Sequence, residues 1–395
     1  MPRAPDAIVV GGGLIGCLVA RALADDGRRV TLFERGAELG GKASTAAAGM
    51  LSPQMEWAED LLVEGEADVA GRTDAMLDLG IAARERWPAF AAALEAETGR
   101  RIHYRDEGTL VVALTDVEAA ELADRAAAQR RRRLRAEWLD PDRVRELEPG
   151  IAATARGALH IPDDRQVDPL ALMAAAAEAL ARRPDVRVEI GSAVRAIESA
   201  AGRVTGVTME AGAEAAAHSD LVVLAAGAWS GGIAGLPRPL PVRPVKGQMA
   251  ALKPAAMPIR HVVGGRGAYC VPRDDGRVVV GATVEDAGFD ERVDPAAVAA
   301  LIRAAAAAVP ALGDAPVASR WSGLRPGTAD DLPILGADPE LPGLLYATGH
   351  YRNGILLAPL TAEVVAALAR GAEPPVETAP FSPARAALEE PASRK

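Results

Sequence analysis

The chain has 395 residues, of which 49% are hydrophobic and 25% charged, and a formal net charge of -10; that length predicts two domains with ample cores, and the composition is that of an ordinary globular protein. The acidic balance excludes nucleic acid as an expected partner, because phosphate binding needs a basic surface. No apolar run reaches spanning length, and MPRAPD leads into the first apolar stretch without room for a secretory signal, so a cytoplasmic protein outside the membrane is expected.

In chain order, the first informative stretch is Ile8 to Glu34. Ile8 to Val10 is an apolar run, Gly11, Gly13 and Gly16 follow as GxGxxG, a helix-compatible segment reaches Ala24, and a second apolar run ends in Glu34. Strand, glycine turn, helix, strand and acid in that order predict a dinucleotide site. The glycines let the turn tighten and the backbone approach a pyrophosphate, whose charge meets the N–H groups of the helix N-terminus. Glu34, 18 residues beyond Gly16, falls where a carboxylate accepts from ribose hydroxyls, which disfavours NADP. FAD and NAD both remain open on these residues. The following loop, RGAELGGKASTAAAGML, reads either as a flexible connector or as a backbone lying against a flat group with hydroxyls for phosphate.

Further along, Asp68 to Thr98 predicts a long helix containing Pro88, Gly108 to Leu114 a strand, and Asp116 to Gln129 a charged helix ending in the solvated basic run Arg130 to Arg135. Asp168-Pro169 opens an alanine-rich helix to Arg183. Short strands are expected at Val186 to Ile190, Ala193 to Ile197 and Arg203 to Met209. DLVVLAA, from Asp220, lacks alternation and reads as a fully buried strand meeting the nucleotide again at Gly227. PRPLPVRP marks a crossing or an edge. Strands at Gln248 to Leu252, Ala268 to Pro272 and Arg277 to Thr283, with Asp274-Asp275-Gly276 as a hairpin turn, suggest an antiparallel sheet. Helices from Asp294-Pro295 and from Ile355 to Ala369 flank a strand at Leu344 to Ala347. The fold class is therefore α/β: a discontinuous Rossmann-like nucleotide-binding domain over residues 4–85, 142–228 and 322–372, and an inserted α+β substrate domain over 86–141 and 229–321. Residues 373–395 are expected to form a flexible tail.

Chemistry is sparse. Cys17 and Cys270 and five scattered histidines show no ligand spacing, so no metal site is expected, and no GxSxG elbow, catalytic cysteine context or paired carboxylates point to hydrolysis. SGLRPG holds Arg325 between turn residues, and GHYRNG places Arg352 before a helix whose N-cap would be Asn353. Two fixed guanidiniums with Tyr269 on a nearby strand make a carboxylate site.

These motifs, GGGLIG with Glu34, STAAAGML, DLVVLAAGAWSG, AYCVPR with DDGRVVVGAT, SGLRPGTADDLPILG and GHYRNGILLAP, resemble the D-amino-acid-oxidase-like FAD-dependent oxidoreductases, most closely the glycine oxidases of thiamine biosynthesis. The resemblance runs from about residue 6 to 370 and implies FAD rather than NAD. By it, Leu14, Ile15, Glu34 and Arg35 would contact the ADP half; Ala43, Ser44, Ala48, Gly49 and Met50 the pyrophosphate and flavin; Val194 the adenine; and His350, Tyr351, Arg352, Asn353, Gly354, Ile355 and Leu356 the flavin. Arg352 would hold the substrate carboxylate with Tyr269 and Arg325. No acid-base residue is implied: a neutral amine gives a hydride to the flavin, dioxygen is reduced to hydrogen peroxide, and the imine hydrolyses, glycine yielding glyoxylate and ammonia.

Val284 stands where the family's glycine oxidases carry methionine, which either widens the pocket towards sarcosine and small D-amino acids or is harmless variation. The cysteine used by relatives with covalent flavin has no counterpart near Arg325, so FAD is expected to be non-covalent. A thiazole synthase receiving the imine and a homotetrameric assembly are also implied. The competing expectations are a D-amino acid or hydroxy acid dehydrogenase using another acceptor, and a non-catalytic flavin- or nucleotide-binding protein.

Overall fold

The computed structural model describes residues 4–57, 67–210, 216–385 and 388. Among these, the N-terminal strand Ala7–Val10 lies inside a six-stranded sheet. It is flanked by Val222–Leu224 and Val30–Glu34, both parallel to it, with Leu344–Thr348 and Val186–Ile190 next outward. Ile334–Ala337 closes one edge antiparallel. Both faces are covered. Val9 points into a core shared with helices Leu14–Asp25, Ala67–Thr98, Pro169–Ala181 and Gly354–Ala369, while Ile8 and Val10 pack against a three-stranded meander of Val194–Ala200, Arg203–Met209 and Ala216–His218. This two-sided burial explains why DLVVLAA does not alternate.

Several helices start on side-chain caps, Asp168 among them as the sequence predicts. The Asp168 carboxylate accepts from the N–H groups of Leu170 and Ala171, and Thr115 with Glu118 forms a capping box. The inserted sheet has eight strands, in the order Val317–Gly327, Arg243–Leu252, Val278–Gly281, Ala268–Pro272, Val262–Gly265, Thr109–Ala113, Gly157–Ile161 and Glu137–Leu139. All neighbours are antiparallel except Val262–Gly265 with Thr109–Ala113. One face, with Cys270 and Val280, buries against helix Pro295–Ala308; the other carries Tyr269, Met249 and Trp321. Alternation along each strand thus separates a core face from a face turned to the nucleotide-binding side.

Several expectations are corrected. Residues 86–98 continue the helix Ala67–Thr98 and belong with the first sheet: buried Trp87 donates from Nε1 to the carbonyl of Leu356 at 2.9 Å. Strand Gly157–Ile161, inside the stretch assigned to the nucleotide domain, pairs within the second sheet, as does all of Val317–Gly327. SGLRPG is strand rather than turn, because Gly323 and Gly327 serve close packing against Ala46 and Val245 instead of a chain reversal. The Asn353 side chain makes no capping hydrogen bond. Residues 373–385 are not a loose tail. Phe381 is buried, and Arg385 grips Asp330 at 2.6 and 2.9 Å while bonding the Leu332 and Pro333 carbonyls. The rest of the expected tail, apart from Leu388, lies outside the described residues.

Burial pushes the Asp330 carboxyl up, but the Arg385 pair, the Leu332 N–H and the Thr328 hydroxyl outweigh it and hold it below the usual carboxylate range. A depressed folded value stabilises above the unfolded value, about 4, and is lost as pH falls through the folded one. Arg385→Ala leaves a buried carboxylate unpaired and is expected to cost about 3 kcal/mol at pH 7. The deficit should shrink as pH falls below ~4, where the unfolded carboxyl begins to protonate and the wild type loses this contribution; urea unfolding at pH 7 and below pH ~4 checks both the size and the trend.

Candidate active site

Between the two sheets runs a cavity of about 490 Å³. At one end it is bounded by Glu34, Arg35, Val194 and Arg195, along its middle by Leu14, Ser44, Ala48 and Gly227, and at the other end by Met50, Tyr269, Val284, Arg325, His350 and Arg352.

The first end is built from the glycine turn. Gly11 has φ +108° and passes so close to the strand end that a methyl group would lie 2.8 Å from the carbonyl carbon of Ala225. A methyl on Gly16 would overlap the Gly11 carbonyl, so helix Leu14–Asp25 can pack this tightly only with glycine there. Buried Glu34 accepts from the N–H of Gly12 at 2.7 Å and of Gly36 at 2.6 Å, which fixes its carboxylate against the cavity. The Ser44 hydroxyl accepts from the Leu14 N–H at 2.9 Å, tying the small-residue loop to the helix start.

That loop is held from the second sheet. Arg273, buried at the end of AYCVPR, donates to the carbonyls of Ala48 at 2.5 Å and Val167 at 3.0 Å, and Trp321 Nε1 donates to Ala46 at 3.0 Å. Burial pulls the Arg273 guanidinium down to about 10, yet it stays charged at neutral pH. Nearer the mouth, Lys42 pairs with Glu291 at 2.7 Å, and Trp229 stacks on Phe289 with Arg35 over its ring.

At the far end, Arg325 donates from a terminal nitrogen to the Thr283 carbonyl at 3.1 Å, and its charge lies near enough to Tyr269 to act on the phenol. Burial pushes the Tyr269 phenol up, more than the two arginines lower it, so it remains a hydrogen-bond donor. Arg352 is exposed and lies over the Tyr351 ring. Buried His350 shares a hydrogen bond of 3.0 Å between Nε2 and Thr361. The helix Gly354–Ala369 starts at this end, so its positive pole faces the cavity.

Comparison with known proteins agrees with this geometry. A family model described as FAD dependent oxidoreductase matches residues 6–368. The chain belongs to this family. It is 37% identical to a glycine oxidase of Geobacillus kaustophilus, covering 95% of this chain and 96% of the relative. The crystal structure of glycine oxidase from that organism superimposes with a TM-score of 0.86 at 35% identity, covering 96% and 98% of the two chains. A bifunctional ThiO/ThiG protein of Synechocystis is 35% identical over 93% of this chain, which spans 52% of that longer protein.

For a member of the FAD-dependent oxidoreductases, the residues present fit the cofactor. A bare glycine turn, a fixed acid, a hydroxyl at the helix start and an extended cavity suit an elongated dinucleotide. Of the residues singled out from sequence, most line this cavity: Gly11, Gly13, Leu14, Ile15, Glu34, Arg35, Ala43, Ser44, Ala48, Gly49, Met50, Val194, Gly227, Tyr269, Val284, Arg325, His350, Tyr351, Arg352, Gly354 and Ile355. Gly16, Asn353 and Leu356 do not. Gly16 supports the turn from behind, Asn353 begins the helix, and Leu356 is buried under Trp87. Sequence reasoning missed Arg273, Trp321 and Gly247. The first two act on backbone carbonyls of a distant loop, and only the terminal arginine of AYCVPR gave any signal.

Burial pulls the His350 imidazole down to about 4. The unfolded ring, with a pKa of about 6.5, takes up a proton first, so stability is lost as pH falls from about 6.5 towards 4. His350→Gln is expected to remove up to about 3 kcal/mol of that loss; denaturant titrations of wild type and variant between pH 7 and pH 4 compare the slopes.

Proposed function

We propose that the chain catalyses FAD-dependent oxidative deamination of glycine, and of sarcosine and small D-amino acids, giving glyoxylate from glycine with ammonia and hydrogen peroxide. The supporting relatives are named glycine oxidases. The observation that carries the reading is the gathering of Tyr269, Arg325 and Arg352 in the cavity lining, the two guanidiniums both acting on the phenol. Bound FAD would supply the hydride acceptor and, with dioxygen, the route by which the electrons leave.

The chain's own residues then have distinct tasks. Glu34 would accept from the ribose hydroxyls, with Leu14, Ile15 and Arg35 along the ADP half and Val194 at the adenine. Ala43, Ser44, Ala48, Gly49 and Met50 would line the path to the flavin, and His350 to Ile355 would lie against the ring. Arg325 and Arg352 would grip the substrate carboxylate, with the protonated Tyr269 hydroxyl as a further donor. His350 is neutral and adds no competing charge. Val284, 54% exposed on the cavity wall, leaves room beyond a glycine-sized substrate. The fused relatives support hand-over of the imine to a thiazole synthase. A cytoplasmic homotetramer with non-covalent FAD completes the reading.

Glycine, sarcosine or D-alanine added without air should bleach the flavin spectrum, and aeration should restore it with release of peroxide. Bleaching without recovery would indicate a dehydrogenase, and no bleaching a binding protein. Acid precipitation should leave all yellow colour in the supernatant. Arg352→Ala and Arg325→Ala should each keep FAD bound while weakening substrate binding by about 1.5 to 3 kcal/mol, the range for a hydrogen bond to a charged group; steady-state KM values read this.

A further inference from the structure

Three adjacent strands of the second sheet present glycine to the cavity: Gly323, Gly247 and Gly281. Gly323 sits opposite Gly247, and Gly281 pairs with both Met249 and Tyr269. None of the three has a left-handed φ. Turn geometry therefore does not demand glycine at any of them, and space is the remaining reason.

What fills that space is specific. A methyl group on Gly247 would lie 2.6 Å from Cζ of Arg325 and closer still to both terminal nitrogens. One on Gly281 would lie 2.6 Å from the Tyr269 hydroxyl and 2.7 Å from its Cζ. Ordinary carbon contacts are about 3.5 to 4.0 Å, so both polar heads rest on bare backbone. The Arg325 guanidinium leans along its strand pair over Gly247, and the Tyr269 phenol leans across the sheet over Gly281. There Arg325 acts on the phenol and also reaches the Thr283 carbonyl.

We infer that Gly247 is a positioning residue for the substrate clamp, its missing side chain setting the depth at which Arg325, beside Tyr269, holds the substrate carboxylate. The inference rests on the proposed carboxylate role of Arg325. A side chain at Gly247 meets the end of a flexible arginine rather than backbone, so the sheet tolerates it and the guanidinium moves. The arginine then loses the Thr283 bond and the carboxylate geometry together, while the far end of the cavity is untouched.

The test is a double-mutant cycle on the FAD-loaded enzyme, with Gly247→Ala in wild type and in Arg325→Ala. In wild type, Gly247→Ala should raise KM for glycine by about 10-fold to 100-fold, the range for losing a charge-assisted hydrogen bond. FAD affinity and melting temperature should stay near wild type. In Arg325→Ala, where the space is empty, the same change should leave KM within about twofold, because coupled sites lose additivity. An equal KM rise in both backgrounds, no rise in wild type, or failure of the double variant to fold would overturn the proposal. If Arg325→Ala alone leaves KM unchanged, the carboxylate role itself fails, and this is read separately.

Discussion

The contact between Gly16 and the carbonyl of Gly11 is the constraint on which the rest rests. A side chain at Gly16 would overlap that oxygen, so only glycine lets helix Leu14–Asp25 lie close along the first strand. Once it does, its N-terminus opens onto the cavity, Gly12 presents its N–H to Glu34, and the helix face is free to pack beside Gly354–Ala369. The two ends of the chain are thereby joined: the acid that begins the cavity and the helix that ends it share one core.

From that core the second sheet acts as a wall. Its contribution is mostly absence and restraint. Glycines leave room for Arg325 and Tyr269, while Arg273 and Trp321 hold the carbonyls of Ala48 and Ala46 so that the small-residue loop cannot drift. Buried donors to backbone carbonyls are costly to leave unpaired, which makes such anchors effective between domains. The Lys42–Glu291 pair and the Trp229–Phe289 stack add a second tie between the same two parts.

The electrostatics are divided along the cavity. A fixed carboxylate, Glu34, marks one end, and two guanidiniums, a protonated phenol and the Glu56 carboxylate mark the other. At that same end His350 is kept neutral by burial.

Local pattern was enough for the first βαβ unit, the buried parallel strands and the capped helices, because each depends on residues near in sequence: Gly11 to Glu34, DLVVLAA, Asp168-Pro169. The family motifs also located about half of the cavity wall, while Glu56, Arg195 and Gly247 lie outside them. What the pattern misjudged were features defined by distant partners. SGLRPG reads as a turn until its glycines are seen to face Ala46 and Val245, and residues 373–385 read as loose until Arg385 finds Asp330. The sequence by itself determined a dinucleotide-binding α/β chain and pointed to several polar residues of the cavity lining, since those follow from residue chemistry and short spacing. Only the tertiary structure decided where the strands divide between sheets, what anchors the loop, and why Gly247 is bare, since each depends on atoms brought within contact by folding rather than by sequence.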